Sequence, residues 1–166
     1  MAFDVFVQID GIPGESLDAE HKDWIEVLSF EHSMEQPASA SASSAGGATA
    51  ERANHKPFVF VHEIDKASPK LAEALCRGNH IKEITFVFRR AGGSAEEYYK
   101  VILKQTIVSH LKSLGTTDKV EGGFPREEVW LSYGSINWVY TQQKRDDGAG
   151  GGSVASGWSR IENKAC

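Results

Sequence analysis

Apolar and polar residues alternate along most of this chain, and a period of two predicts β-strands. The longest example is residues 98–111, where Val101, Leu103 and Ile107 lie on one face and Lys100 and Lys104 on the other. The other predicted strands are residues 3–9, 24–31, 58–64, 81–90, 128–133 and 135–142. The last two meet at Gly134, either as an antiparallel hairpin or as a bend. Seven strands with short connections predict an antiparallel sandwich or barrel.

Residues 69–77 have a helical period instead. Ser68 is a good N-cap, Pro69 suits the first helical position, and Gly78 supplies a left-handed residue to end the helix. Leu71 and Leu75 lie four residues apart, on one face. The sequence therefore predicts a mainly β fold, an antiparallel two-sheet β-barrel or sandwich, with one short flanking α-helix.

Three strands carry information about surfaces. Residues 58–61 and 84–88 are apolar on both faces, which indicates packing beneath the helix, burial in a subunit interface, or both. In the strand 24–31, period two places Leu28 and Phe30 in the core and Ser29 and Glu31 on the opposite, wetted face.

Two segments have neither period. Residues 36–53 are rich in Ala, Ser, Gly and Thr, and they are either a solvated linker or an arm that orders against a neighbouring molecule. Residues 146–157 form a second, Gly-rich flexible segment. The candidate contact residues in the first segment are Gln36, Ser39, Ser43, Gly46, Gly47 and Arg52.

Length and charge exclude several classes. The 166 residues fit one domain, 1–166, and the formal net charge of −5 argues against a nucleic-acid surface. No apolar run approaches the ~20 residues of a membrane span, and the N-terminus lacks the features of a signal peptide. We therefore expect folding in the cytoplasm. Cys76 is expected to pack as a small hydrophobe and Cys166 to be exposed, and two unpaired thiols fit a reducing compartment.

No motif supports catalysis. The six histidines form neither a His-x-His nor a His-x-x-x-His pair, so no metal site is predicted. Gly11 to Gly14 lacks the Gly-Lys-Ser/Thr ending of a phosphate-binding loop and is predicted to be a turn. Asp65 and Lys66 lie where the chain enters the helix, where an aspartate usually accepts from backbone N–H groups. We expect no catalytic residue, metal or cofactor.

Several motifs together resemble one family. They are Asp4-Val-Phe-Val, Gly14-Glu-Ser, Ile25-Glu-Val-Leu-Ser-Phe, Ile64-Asp-Lys-Ala-Ser-Pro, Ser135-Ile-Asn-Trp-Val-Tyr and Gly157-Trp, in this order. The chain is similar to the Hcp family, the haemolysin-coregulated proteins of bacterial type VI secretion systems. The family motif residues, with structural roles, are Asp65, Lys66, Ser68, Pro69, Trp138 and Trp158.

The resemblance implies a subunit of the secretion tube that forms hexameric rings. Rings stack into a tube, a sheath propels the tube with its spike, and effectors travel in the lumen, so the protein leaves the cell without a signal peptide. A lumen that cargo enters and leaves should be polar, so Ser29, Glu31 and Ser33 are predicted to face it. The rival interpretation is a monomeric, lipocalin-like barrel that binds a small apolar ligand.

Overall fold

The computed structural model describes residues 3–37, 51–91, 95–117, 123–143 and 150–166. These residues form twelve strands and one helix, α1 (Ser68–Arg77), which lies between β6 and β7 in the chain. The strands are β1 (Phe3–Ile9), β2 (Ile25–Val27), β3 (Ser29–Glu31), β4 (Met34–Glu35), β5 (Asn54–His55), β6 (Phe58–Glu63), β7 (Ile81–Arg90), β8 (Glu97–Leu114), β9 (Arg126–Ser132), β10 (Ser135–Gln143), β11 (Gly150–Ser159) and β12 (Lys164–Ala165). The predicted mainly β, antiparallel fold with one helix is confirmed.

The strands form two antiparallel sheets joined by β8. Seven strands lie in the order β12-β11-β10-β8-β7-β1-β2, while β3, β6 and β9 form the opposite layer. The first half of β8 pairs with β7 and its second half pairs with β9. The chain changes partner next to Gln105, whose φ of 50° is unusual for a residue other than glycine. A bulge between Val108 and His110 follows.

The second seam between the layers lies at residues 25–31, which were predicted to be one strand. The structure divides them: β2 pairs with β1, β3 pairs with β6, and the N–H of Leu28 donates to the carbonyl of Val61 at 2.8 Å. Because the chain changes sheets at this point, Leu28 and Phe30 are 49% and 40% exposed in the isolated chain. The prediction that both are core residues is wrong.

The core lies between the two layers. Cross-strand register aligns Val7, Phe86, Val101 and Trp138 on the inner face of the large sheet. Opposite them lie Phe58 and Phe60, whose rings are 4.4 Å and 5.6 Å from that of Phe86. Phe58, Phe60 and Phe86 are at most 2% exposed. The space between the layers is therefore filled by side chains over the described residues, unlike the interior of an apolar-ligand carrier.

The helix begins differently from the prediction. Ala67 is its N-cap, and Ser68 lies inside the first turn, where its hydroxyl accepts from the N–H of Asp65 at 3.2 Å. The Asp65 carboxylate accepts from the N–H of Ala67 at 2.9 Å, as predicted for this position. The Ser68 N-cap prediction is thus wrong, because Asp65 and Ser68 together form a local turn that orients the chain before the helix.

The C-terminal end of the helix agrees with the prediction. Gly78 has φ 65°, its N–H donates to the carbonyl of Leu75, and the next N–H donates to that of Ala74. Leu71 is fully buried and Leu75 is half-buried. Cys76 is exposed rather than packed as a small hydrophobe, because it lies on the outer face of the helix.

A loop explains why residues 84–88 of β7 are apolar on both faces. The ring of His21 stacks on that of Phe6 at 4.6 Å, and the Arg89 guanidinium lies 4.8 Å from the same ring. Phe6 is 5% exposed and its neighbour Val87 is 1% exposed. The connection between β1 and β2 covers Phe6 and Val87, so burial of these two side chains requires neither the helix nor a subunit interface.

One further prediction needs correction, and one open alternative is decided. Residues 150–157, predicted to be flexible, belong to β11 and pair with β10, while residues 146–149 lie outside the described residues. β9 and β10 do not form a hairpin: β9 pairs with β6 and β8, and β10 pairs with β8 and β11. Gly134 is the bend at which the chain passes from one layer to the other, and a Cβ there would lie 2.8 Å from Ile161 Cδ1.

Candidate assembly surfaces

The C-terminal strands form a wing that extends the large sheet beyond β8. β11 pairs with β10 along its length, but β12 pairs only with Trp158 and Ser159 of β11. Among the described residues no strand pairs with the outer edge of β11 between residues 151 and 156. This segment has no charge and no proline, and residues 152–156 are exposed. An uncharged, uncovered edge is unusual because it invites pairing with another chain.

Apolar side chains lie beside this edge. Register places Val5, Phe88, Tyr99, Tyr140 and Val154 in one row across the sheet. Val5 and Phe88 are buried and Tyr99 is half-buried, but Tyr140 is 48% exposed and Val154 is 70% exposed. We call Tyr140, Val154 and the edge residues 152–156 the wing patch.

A different apolar surface lies near the other end of the sheet. Leu28 and Phe124, which is 70% exposed, line a groove of about 260 Å³ whose remaining walls are mostly acidic. The acidic residues are Glu15, Glu26, Glu63 and Asp65. We call Leu28 and Phe124 the corner patch. It lies by β2, at the opposite end of the strand order from β11.

The predicted lumen residues are all exposed. Ser29 and Glu31 lie opposite Val61 and Val59 in the pairing of β3 with β6, and Ser33 lies between β3 and β4. In the next strand, Trp130 donates from Nε1 to Glu128 at 2.7 Å. In the isolated chain the outer face of the β3–β6–β9 layer is therefore exposed to solvent, and it carries both polar and apolar side chains.

The ends of the predicted loop 36–53 form a two-stranded ribbon, β4 and β5. Met34 pairs with His55 and Glu35 with Asn54, whose side-chain amide donates to the Glu35 carboxylate at 2.9 Å. Gln36 and Arg52 are exposed, and the Gln36 amide donates to the carbonyl of Glu51. Ser39, Ser43, Gly46 and Gly47 lie outside the described residues.

A histidine–tyrosine cluster anchors this ribbon. The hydroxyl of Tyr133 is 2.7 Å from His32 Nε2 and 2.9 Å from His55 Nδ1. The Arg160 guanidinium lies 5.4 Å from the Tyr133 ring centroid and donates to the Tyr133 carbonyl at 3.0 Å. We call His32, His55, Tyr133 and Arg160 the latch. Sequence reasoning missed it, because its members are distant in the chain and follow no spacing rule.

The surroundings of the latch favour the neutral forms of His32 and His55. Burial, with a smaller contribution from His55, lowers the pKa of His32. Burial and the positive charge of Arg160 lower the pKa of His55. Burial raises the pKa of Tyr133 to about 12, so its hydroxyl stays protonated.

The motif residues have structural contacts. Lys66 pairs with Asp23 at 3.5 Å across exposed surface, and Pro69 lies in the first helical turn. Trp138 packs against the core, and Trp158 pairs with Ile136 on one side and Ala165 on the other. None of these contacts forms a reaction centre.

His62 is the buried group that most resembles part of a catalytic site. Its Nε2 is 3.2 Å from Glu127 Oε1 and its Nδ1 is 3.8 Å from Asp65 Oδ1. Burial is the main cause of a raised Asp65 pKa. His62 is 0% exposed, so a substrate has no access to the ring in this conformation. The arrangement joins β6, β9 and the start of α1.

A second ionic cluster holds the covering loop to the sheet. The Asp18 carboxylate accepts from Arg89 and lies 3.1 Å from His21 Nδ1, while His21 Nε2 lies 3.0 Å from Glu97. The Arg89 hydrogen bond lowers the pKa of Asp18 well below its usual range. Burial alone would raise the pKa of Glu97, but hydrogen bonds from Lys100 and His21 outweigh it and lower that pKa.

The described residues contain neither a metal-binding cluster nor a membrane-spanning helix. No group of three or more His, Cys, Asp or Glu side chains there is placed to hold a metal ion. In the same residues, the helix is too short and too polar to cross a membrane.

Comparisons with known proteins agree on one family. Residues 6–140 match the family model described as type VI secretion system effector, Hcp. The chain is 34% identical over 166 residues to protein hcp1 of Pseudomonas aeruginosa, covering 98% of both chains. It is 30% identical over 132 residues to the major exported protein of the same species, covering 76% of this chain and 74% of the relative. The crystal structure of Hcp1 from Salmonella typhimurium superposes with a TM-score of 0.82 at 33% identity, covering 100% of both chains.

Proposed function

The chain belongs to the Hcp family of type VI secretion proteins, and from this we propose that it is a ring-forming subunit of the secretion tube. Six copies form a closed ring, rings stack, and effectors travel through the lumen. The subunit has no enzymatic activity of its own and works with the sheath, the spike and the effectors. The same system exports the subunit. The name of one relative, the major exported protein, describes export of that relative.

The observation that carries the proposal is the presence of two unlike apolar surfaces at opposite ends of one sheet. The wing patch lies on β11 and the corner patch lies by β2, five strand positions away. At about 4.8 Å per strand this is roughly 24 Å along the sheet. Two copies joined by identical patches would form a closed dimer, whereas two different patches give a head-to-tail contact that closes into a ring or continues as a filament.

The uncharged edge of β11 strengthens this argument. Soluble proteins protect long edges with charge, proline or a covering segment. The edge residues 152–156 have none of these within the described residues, so cover by a second copy is the simplest explanation. The wing patch then contacts the corner patch of the next subunit.

In this ring we place Ser29, Glu31 and Ser33 on the lumen. All three are exposed, and Ser29 and Glu31 lie on the outer face of the β3–β6–β9 layer. Small and charged polar groups suit a surface on which cargo must bind weakly.

We assign ring stacking to the loop that β4 and β5 carry. Six chains at −5 give each ring a formal charge of −30. Salt screens repulsion between rings beyond ~8 Å, so short-range contacts must hold them together. Each residue that becomes ordered on stacking costs about 1–2 kcal/mol in backbone entropy, and stacking should therefore be weak in dilute solution.

Native mass spectrometry with one variant tests the ring. The wild type should have six times the chain mass. Val154→Lys should be monomeric, because it buries a charge in the proposed contact while changing a side chain that is 70% exposed in the chain alone. Ile161→Lys is the matched control, since Ile161 is 66% exposed and lies outside both patches.

Each outcome decides a different point. A monomeric wild type at tens of micromolar would overturn the ring and revive the carrier-barrel interpretation. A hexameric wild type whose Val154→Lys variant is also hexameric would retain the ring but overturn the assignment of its interface.

A further inference from the structure

The latch joins the two sides of the ribbon to the body of the protein. His32 precedes β4, His55 lies in β5, and Tyr133 lies at the bend between β9 and β10. His55 is 9% exposed and Tyr133 is 3% exposed. The ring of His32 also stacks on that of Phe58 at 5.2 Å, which ties the latch to the aromatic core. A change that breaks the latch contacts therefore also detaches the ribbon of β4 and β5 from the body of the protein.

The hydrogen bonds at Tyr133 limit how many protons the latch can hold. A tyrosine hydroxyl has one hydrogen to donate and accepts through oxygen lone pairs. With both histidines neutral, one imidazole donates to the hydroxyl and the other accepts from it. With both protonated, each imidazolium donates, and the buried hydroxyl hydrogen loses its acceptor, which costs about 1–3 kcal/mol.

The charges around the latch disfavour even one proton. Arg160 lies against Tyr133, and Arg52 lines the same cavity of about 530 Å³ as His55 and Arg160. Glu35 and Lys56 of the ribbon form an ion pair at 3.6 Å. Glu35 is paired with Asn54 and not with His55, so its side chain lies on the opposite face of the ribbon from that of His55. Within the described residues no carboxylate bonds to His32 or His55. Protonation therefore adds positive charge beside Arg160 with no bonded counter-ion.

We propose that the latch is a pH-sensitive switch that holds the ribbon closed at neutral pH and releases it when His32 and His55 are protonated. The sign follows from the contacts, because a histidine that is harder to protonate in the folded state makes that state less stable as pH falls below its unfolded pKa of about 6.5. Release leaves the two sheets intact, because among the described residues β4 and β5 pair only with each other and with no strand of either sheet. If the loop stacks rings as proposed above, the switch also makes stacking weaker in acid.

Hydrogen exchange of the full-length protein tests the switch. Exchange rates of segments 33–37 and 52–57 are corrected for the intrinsic effect of pH and compared with those of β7 as a reference. Between pH 6.5 and 5.5, protection of the ribbon should fall by up to about fivefold for each histidine that takes up a proton on opening, because a histidine with an unfolded pKa of about 6.5 is already half protonated at the start of this range. The double variant His32→Gln/His55→Gln should lose this dependence, because a glutamine amide can donate or accept but does not titrate here.

Two more variants make the test specific. His80→Gln, an exposed histidine outside the latch, should behave as wild type. Tyr133→Phe should lower ribbon protection at neutral pH, because it removes the shared hydroxyl. Constant ribbon protection in the wild type, or an equal fall in the double variant, would overturn the switch.

Sedimentation of the same samples separates the switch from ring stacking. If the ribbon opens with acid and stacking weakens in parallel, both assignments are supported. If the ribbon opens while stacking is unchanged, the switch stands and the stacking role of the loop is wrong.

Discussion

Replacing Leu71 by alanine tests how the helix is attached to the sheets. Leu71 is 0% exposed, and α1 packs against β8. Removing a fully buried leucine side chain costs about 2–5 kcal/mol, the sum of the lost transfer free energy and the cavity that remains. For a chain of this size each kcal/mol lowers Tm by roughly 2–4 °C, so a fall of between about 4 and 20 °C is expected.

Leu75→Ala on the same helix is the comparison. Leu75 is half-buried, so roughly half of the ~2.4 kcal/mol for three buried carbons is at stake, and we expect a loss of about 1 kcal/mol. Lys70→Ala, at an exposed position, should change stability by less than ~0.5 kcal/mol. The expected order is Leu71, then Leu75, then Lys70.

Assembly must be separated from folding in this experiment. A protein that binds other copies of itself in the folded state gains apparent stability by mass action. Urea unfolding should therefore be measured at one protein concentration and repeated with Val154→Lys in the background. If Leu71→Ala is no more destabilising than Leu75→Ala in both backgrounds, the argument that Leu71 anchors the helix is refuted.

Three other predictions follow from the surfaces and the ionic cluster. Cysteine at position 31 should react with a small thiol reagent in intact rings, and protection there would remove Glu31 from the lumen. Deleting residues 38–50 should leave hexamers but abolish stacking in sedimentation at matched salt; wild-type stacking would refute the role of the loop, and monomers would move the loop to the subunit interface. Asp18→Asn should lower the free energy of unfolding at pH 7 and flatten its loss below pH about 4, because the Arg89 bond lowers the carboxylate pKa and so stabilises the fold only while Asp18 is ionised. Equal acid sensitivity in the variant and the wild type would show that this bond does not stabilise the fold.

The sequence alone determined elements whose signals are local. β1 and β7 have the predicted bounds because alternation identifies the strands and turn residues end them. The helix ends at Gly78 as predicted, since a left-handed residue is a property of that position. Family membership could also be read from the order of short motifs, and the comparisons confirm it. In each case the relevant interactions lie within a few residues of each other.

Only the tertiary structure decided the features that depend on distant residues. The Gly-rich segment 150–157 is a strand because β10 pairs with it, although its composition favours a flexible chain. The break at Leu28 arises where the chain exchanges β1 for β6 as its partner. The latch requires His32, His55 and Tyr133 to converge from three parts of the chain. Pairing and convergence are set by contacts between segments far apart in sequence, and a period of two along one strand carries no information about which strand will lie beside it.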